Sequence, residues 1–269
     1  MSPGAPEESR LTFGYEEFWP VVYREHERQF AAITDLMKLA NEMLEAAEEK
    51  ATEPVEKVVL ELTRATAAGA NDVILLSGNG CGTGAIKIVR SMFESSWTAE
   101  YLRRNPKEVD RYLEFGAVLA RRRYEWLLAE DPERARSISP EAAKSSEDEY
   151  NRVKARFTKP NGHEMNQWCT ESIGEMARKI GRGKEYKAPY SIACSIQHAN
   201  FEGLSTGFQL QNGTISRDFP PSMRGIKMVL ATANTQLWFA LDTLDSCCNL
   251  GLSDKLKTAE ETLHKAYKK

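Results

Sequence analysis

The sequence contains no run of about 18 apolar residues, the length that a membrane-spanning helix needs. Its first residues lack a basic stretch followed by an apolar one, so we expect no secretory signal. The 36 Lys and Arg residues are outnumbered by 39 Asp and Glu residues. A net charge of −3 gives no overall field that would attract nucleic acid or an anionic membrane. We therefore expect no membrane partner.

Cysteine is scarce, and its spacing excludes the common zinc and redox motifs. The five cysteines are irregularly spaced, and no two form a Cys-x-x-Cys pair. Adjacent cysteines on a helix, such as Cys247 and Cys248, point in different directions and seldom bridge each other. The sequence thus indicates reduced thiols in a cytoplasmic protein. We expect neither a metal centre nor a cofactor.

A phosphate-binding loop is also missing, although residues 78–84 are rich in glycine and follow an apolar run. A Walker loop requires Gly-Lys-Ser/Thr, whereas Gly84 is followed by Ala85. A dinucleotide-binding loop requires Gly or Ala where Thr83 stands, and the chain shows no alternation of strands and helices. We interpret this segment as a helix–helix connection, and leave open an anion on the amides of residues 82–85.

What the sequence does contain is apolar residues at helical spacing along most of the chain. The spacing predicts helices over residues 15–50, 54–68, 83–104, 107–130, 148–158, 163–180, 187–207 and 221–250, with a short terminal helix from 253. Residues 133–147 are predicted to be a loop with at most a short exposed helix. The predicted fold class is all-α. It is a single multi-helix bundle over residues 15–269, after a flexible tail at residues 1–14.

One small β element is predicted within this helical fold. Asn212-Gly213 lies between alternating residues, which is typical of a two-residue hairpin turn. The sequence therefore predicts a small β-hairpin insert near residues 208–216.

Arg90 and Glu94 mark one candidate site, on the third predicted helix. At about 100° per residue they share an arc with Phe93, Trp97 and Tyr101. Charges among such neighbours should be partly buried, and burial of a charge is costly unless the charge is paired. A contact within the fold or a role in the function must therefore compensate for the cost of burying this pair.

His198 marks a second position, because it is the histidine in a clearly apolar predicted helix. Ser195 precedes it by three residues and Glu202 follows it by four. If this helix packs beside the third one, His198, Ser195, Arg90 and Glu94 would meet in one polar cluster. Histidine can act as a general base and arginine can hold an anion. The same groups could equally form a static network that holds two helices in register, which is the interpretation we favour.

Two segments resemble a large bacterial family of all-helical proteins of unknown function: Ile88-Val89-Arg90-Ser91-Met92-Phe93-Glu94, and Tyr186-x-x-x-Tyr190-x-x-x-Cys194-Ser195-x-x-His198-Ala199-Asn200. That family carries an Arg-Ser-x-x-Glu-like helix and a later Tyr…Ser-x-x-His-like helix. The resemblance spans roughly residues 30–250. It implies an all-α fold, a cytosolic bacterial setting and a role in defence or toxin systems, with no settled activity. It also implies that Arg90, Glu94, Ser195 and His198 are the characteristic polar positions.

Two functions follow from these residues. The first is a structural or interaction role around a buried polar cluster. The alternative is a metal-independent hydrolase or nuclease for a phosphate-bearing substrate, with His198 as base and Arg90 as anion clamp. Helical ribonuclease toxins place an Arg four to six residues before a His on one helix. None of the four histidines here has such an Arg, so that mechanism would need an Arg from another helix, such as Arg90.

The partners are less constrained by the sequence. Local basic groups at residues 121–123 and 179–184 leave nucleic acid open as a partner, although such runs are usually solvated helix faces. The apolar spacing of the predicted helix 221–250 is that of a bundle seam. It leaves a homo-oligomer open as well.

Overall fold

The computed structural model describes residues 14–198, 201, 203, 208–211, 214–217 and 221–268. These residues are mostly helical, which confirms the predicted all-α class. The helices are α1 (Trp19–Lys50), α2 (Pro54–Gly78), α3 (Gly82–Arg104), α4 (Val109–Glu130), α5 (Pro132–Arg136), α6 (Pro140–Val153), α7 (Ile173–Lys179), α8 (Gly183–Glu185), α9 (Ser191–Gln197), α10 (Ile226–Cys248) and α11 (Ser253–Tyr267). A π-helical turn, Tyr186–Tyr190, joins α8 to α9. Short 3-10 segments lie at Glu16–Phe18, Pro106–Glu108 and Lys154–Phe157. None of the helices described here has the length and apolar character needed to cross a bilayer.

The main core lies between α1, α2, α3 and α10, which pack against one another. Its largest fully buried side chains come from three of these helices: Ile33, Leu36 and Met43 from α1, Met92, Phe93 and Trp97 from α3, and Leu230, Leu237 and Leu241 from α10. Burying one such side chain contributes roughly 1.5–3 kcal/mol relative to leaving it in water. Helix α11 covers α1 and α10, and the Gln29 amide donates to the Ala266 carbonyl at 2.7 Å.

A smaller core lies beside the main one, between α4, α6 and the segment that follows α6. It contains Phe115, Val118, Val153, Phe157 and Met165. The side chain of Trp168 is partly buried and packs against both cores. The predicted single domain over residues 15–269 stays a prediction.

Helix α2 is longer than predicted, and its predicted end at residue 68 is wrong. The helix continues through Gly69, Asn71 and Asp72 as far as Gly78. A Cβ atom on Gly69 would lie 2.7 Å from Cγ of Met92 on α3. The glycine thus lets α2 and α3 approach closely, and this packing outweighs its poor helix propensity.

The predicted loop at residues 133–147 is also wrong, because α5 and most of α6 lie there. Each helix has a side chain that caps its first turn. An Asp131 carboxylate oxygen accepts from the Arg134 amide at 3.1 Å, and the Ser139 hydroxyl accepts from the Ala142 amide at 3.2 Å. These caps compensate for the small apolar content of both helices.

Three predicted helices are shorter than expected. Residues 163–172 are irregular, and α7 begins only after Ser172, which forms a capping box with Glu175. The helix predicted over 187–207 begins with the π-helical turn and is interrupted after Gln197, where α9 ends; Phe201 and Gly203 are again helical, and residues 199–200, 202 and 204–207 lie outside the described residues. Helix α10 begins at Ile226 because Gly225 has a left-handed φ of 77°.

The segment for which the sequence predicts a hairpin contains two four-residue strands, β1 (Phe208–Gln211) and β2 (Thr214–Arg217). They pair antiparallel, with Phe208 opposite Arg217 and Gln211 opposite Thr214. The predicted Asn212-Gly213 turn and most of the predicted N-terminal tail lie outside the described residues.

Candidate functional site

Arg90 and Glu94 form an ion pair one turn apart on α3, with 2.9 Å between Nη2 and Oε1. The Tyr190 hydroxyl donates to the same Glu94 oxygen at 2.7 Å. Tyr190 is the last residue of the π-helical turn, immediately before α9. These three residues, which we call the Glu94 clamp, therefore connect α3 to the α9 segment.

The clamp is partly buried, which confirms the expectation drawn from the helical arc. The Arg90 side chain is 24% exposed and that of Glu94 is 41% exposed. Burial by itself lowers the pKa of Arg90, whereas the Glu94 carboxylate and the Tyr190 hydroxyl raise it, and the net shift is upward. Burial and the hydrogen bond to Glu94 raise the pKa of Tyr190. Tyr190 therefore remains a hydrogen-bond donor at neutral pH.

Aromatic rings fix the position of the Tyr190 side chain. Its ring meets Phe93 edge-on at 5.8 Å, contacts Trp97 at 5.3 Å and stacks on Tyr186 at 5.3 Å. A Cβ atom on Gly174 would lie 2.6 Å from the Tyr186 ring, so this glycine makes room for the stack. The wide π-helical turn and the ring packing together aim the hydroxyl at Glu94.

The other predicted site residues lie further along α9. Ser195 is buried, whereas His198 directly follows the helix and is exposed. Cys194, also on α9, contributes to the raised pKa of Arg90. In the described part of the chain, no hydrogen bond or ion pair joins the His198 side chain to the Glu94 clamp. The catalytic assignment of Arg90, Glu94, Ser195 and His198 stays a prediction, and Glu202 lies outside the described residues.

A more deeply buried carboxylate, which sequence reasoning missed, lies two turns further along α3. Glu100 is only 3% exposed. Its oxygens accept from Arg103 at 2.7 and 2.9 Å, from Arg104 at 2.5 Å and from the Thr243 hydroxyl at 3.3 Å. Burial raises the pKa of Glu100, but the two guanidinium groups outweigh burial and lower it. Arg103 and Arg104 follow Glu100 by three and four residues, and this helical spacing could have predicted the ion pairs from the sequence.

A second buried chain of hydrogen bonds crosses the same region. The Ser96 hydroxyl donates to the Gln236 side-chain oxygen at 2.9 Å, and the Gln236 amide donates to Glu185 at 3.1 Å. Glu185 also pairs with Arg182 at 2.7 Å. Arg182 in turn lies 4.0 Å from the centre of the Phe239 ring. These contacts join α3, α8 and α10, and none of these residues is among the four polar residues predicted from the sequence to form a cluster.

The glycine-rich segment is a helix–helix connection, as the sequence predicts. Gly80 has a φ of 68°, and its carbonyl accepts from the Ser222 amide at 3.0 Å. A Cβ atom on Gly82 would lie 2.3 Å from the Arg224 carbonyl. These glycines therefore allow a close backbone approach to the segment before α10. Across the part of the chain that the structure describes, no three His, Cys, Asp or Glu residues are grouped as a metal site would require.

A model of the family of unknown function DUF5677 matches residues 56–215. The chain belongs to this family. The resemblance to a helical family of unknown function is thereby confirmed, while the bacterial origin, the motifs and the defence role remain predictions. The DUF5677 region spans α2 to α9, so it contains all three residues of the Glu94 clamp. No curated protein and no solved structure matches the chain.

Proposed function

We propose that this DUF5677 protein has a structural or interaction role, in which the Glu94 clamp holds α9 against α3. The observation that carries the proposal is the shared oxygen of Glu94, which takes both Arg90 and the Tyr190 hydroxyl. A carboxylate that acts as a general base needs an oxygen that can contact the substrate. A carboxylate that orients a catalytic histidine needs an oxygen that can contact that histidine. Here one of the two carboxylate oxygens, Oε1, is already taken by groups of the protein itself.

The hydrolase or nuclease alternative stays a prediction, because its base, His198, is exposed and has no described orienting carboxylate.

A double-mutant cycle between Tyr190 and Glu94 tests the clamp. We expect Tyr190→Phe and Glu94→Gln each to lower the free energy of unfolding by about 1 kcal/mol, the usual value of one such hydrogen bond. Because Glu94→Gln replaces the charged acceptor of the Tyr190 hydroxyl by a neutral one and Tyr190→Phe removes the donor, both changes act on the same bond, and the double variant should lose less than the sum, with a coupling of about 0.5–1 kcal/mol. Urea unfolding followed by circular dichroism measures all four proteins.

Tyr267 provides the matched control, since its hydroxyl also has a buried partner but that partner is Asn234, at 2.9 Å. Tyr267→Phe combined with Glu94→Gln should be additive. Two results would contradict the proposal: an additive Tyr190–Glu94 cycle, or turnover of a phosphate ester that His198→Ala abolishes while the unfolding free energy is unchanged.

A further inference from the structure

A cleft of about 570 Å³ opens between α4 and the irregular segment that precedes α7. Three cations line it, Arg111, Arg156 and Lys159, and none of its lining residues is an Asp or a Glu. We call it the basic cleft. It shares no lining residue with the Glu94 clamp. Because the whole chain carries a net charge of −3, this local excess of positive charge is not part of a generally basic surface.

Arg111 is the fixed cation of the basic cleft, and uncharged groups hold it. Its Nε donates to the Trp168 carbonyl at 2.7 Å, and its Nη2 contacts the Met165 sulfur at 3.2 Å. The guanidinium lies 5.6 Å from the centre of the Phe157 ring. Among the described residues, no carboxylate pairs with it. A partly buried cation without a counter-ion is costly, and a bound anion would remove that cost.

Arg156 and Lys159 add charge that the protein neutralises only in part. Glu114 accepts from Arg156 at 2.7 Å and from Arg152 at 2.9 Å, so one carboxylate serves two guanidinium groups. Lys159 is exposed and makes no ion pair within the described residues. Two exposed cations therefore flank one fixed cation at the same opening.

Residues 158–170 form the loop that contributes most of the lining, and contacts within the protein hold this loop in place. The Met165 amide donates to the Phe157 carbonyl at 2.7 Å, and Arg122 pairs with Glu164 at 2.6 Å. Thr158 and Glu164 form an isolated antiparallel bridge. A site whose lining is ordered beforehand loses less entropy when its ligand binds. The loop thus has the character of a preformed site.

We infer that the basic cleft binds the phosphate group of a small phosphomonoester. A dianion matches several cations better than a single carboxylate does, and a guanidinium can give two parallel hydrogen bonds to phosphate oxygens. Thr158, Asn166 and Gln167 add polar side chains to the lining, while Pro160 and Met165 offer apolar surface to the body of the ligand. The volume lies in the range of small-molecule sites, about 300–1,000 Å³.

Calorimetric titration with adenosine 5′-monophosphate, inorganic phosphate and adenosine tests this site at low ionic strength. We expect the monophosphate to bind, inorganic phosphate to bind more weakly, and adenosine not to bind. Arg156→Ala and Lys159→Ala should each weaken the monophosphate about tenfold, because each removes a charge-assisted contact. Both residues are exposed, so thermal unfolding of the unliganded variants should match that of the unchanged protein.

Arg152→Ala is the matched control, because Arg152 shares Glu114 with Arg156 but does not line the cleft. Its affinity should fall less than that of Arg156→Ala, because Arg152 makes no contact with a ligand in the cleft. The inference is overturned if neither phosphate compound binds, if adenosine binds as well as its monophosphate, or if Arg152→Ala weakens binding as much as Arg156→Ala. Loss of the Glu94 clamp would leave this titration unaffected, so the two proposals fail separately.

Discussion

At the scale of the residue, the charges inside this protein are stabilised by sharing partners. Glu94 serves Arg90 and Tyr190 through one oxygen, and Glu100 serves two arginines and a threonine. Helical periodicity alone predicted that Arg90 and Glu94 would be partly buried. It could not predict Tyr190 as their partner, because that contact joins residues 96 positions apart and depends on how two helices pack.

His26 allows a prediction about pH. It is 7% exposed within α1, its backbone is non-helical there, and its Nε2 has no partner among the described residues. Burial lowers its pKa below the usual 6.5, with Lys227 adding to the shift and Glu25 opposing it. Below pH 6.5 the unfolded chain binds a proton that the folded protein does not, so the free energy of unfolding should fall as pH drops.

Urea unfolding between pH 7.5 and pH 5 checks this prediction. His26→Gln should lose less stability over that interval than the unchanged protein. His264→Gln is the control, because the His264 side chain is 71% exposed, and it should keep the pH dependence of the unchanged protein. An equal pH dependence in all three proteins would show that His26 has no part in it.

At the scale of the element, the sequence predicted which segments are helical better than where the helices end. Apolar periodicity located α1, α3, α4 and α10 because each buries one continuous face. The positions of the helix ends depend on other causes. Gly69 lies inside α2 because Met92 packs against it, and α7 begins at a capping box that stops the helix from extending backwards. Such causes involve contacts between elements or single side-chain bonds, which periodicity does not report.

Two glycines inside helices give a matched prediction. A Cβ atom on Gly116 in α4 would meet nothing within 4 Å, so Gly116→Ala should raise the free energy of unfolding by about 0.5–1 kcal/mol through helix propensity. A Cβ atom on Gly69 would press on the buried Met92 side chain. Gly69→Ala should therefore lower stability by about 1–2 kcal/mol despite the same gain in propensity.

Thermal and urea unfolding of the two variants measure this difference. The packing explanation for the length of α2 would be wrong if Gly69→Ala stabilised the protein as much as Gly116→Ala does.

At the scale of the whole molecule, the main core is much larger than the smaller core beside it. Helix α4 buries only Val109, Phe115 and Val118, and α6 buries only Val153. Helices α2, α3 and α10 each bury ten or more residues. Such a difference in burial produces regions that open with different free energies.

Hydrogen exchange followed by mass spectrometry should resolve these regions. We expect amides of α4 and α6 to exchange faster than those of α2, α3 and α10, because opening the smaller core exposes less apolar surface. Equal protection across both cores would mean instead that the protein opens only as a whole.

The indole of Trp168 connects these two cores. Its ring meets Tyr101 of α3 at 5.9 Å and Tyr112 of α4 at 5.3 Å, both edge-on, while its carbonyl holds Arg111. The carbonyl that holds Arg111 and the ring between the two tyrosines thus belong to one residue, which contacts both cores and a cation of the basic cleft. We therefore expect the fluorescence of this indole to change when a ligand in the cleft displaces Arg111.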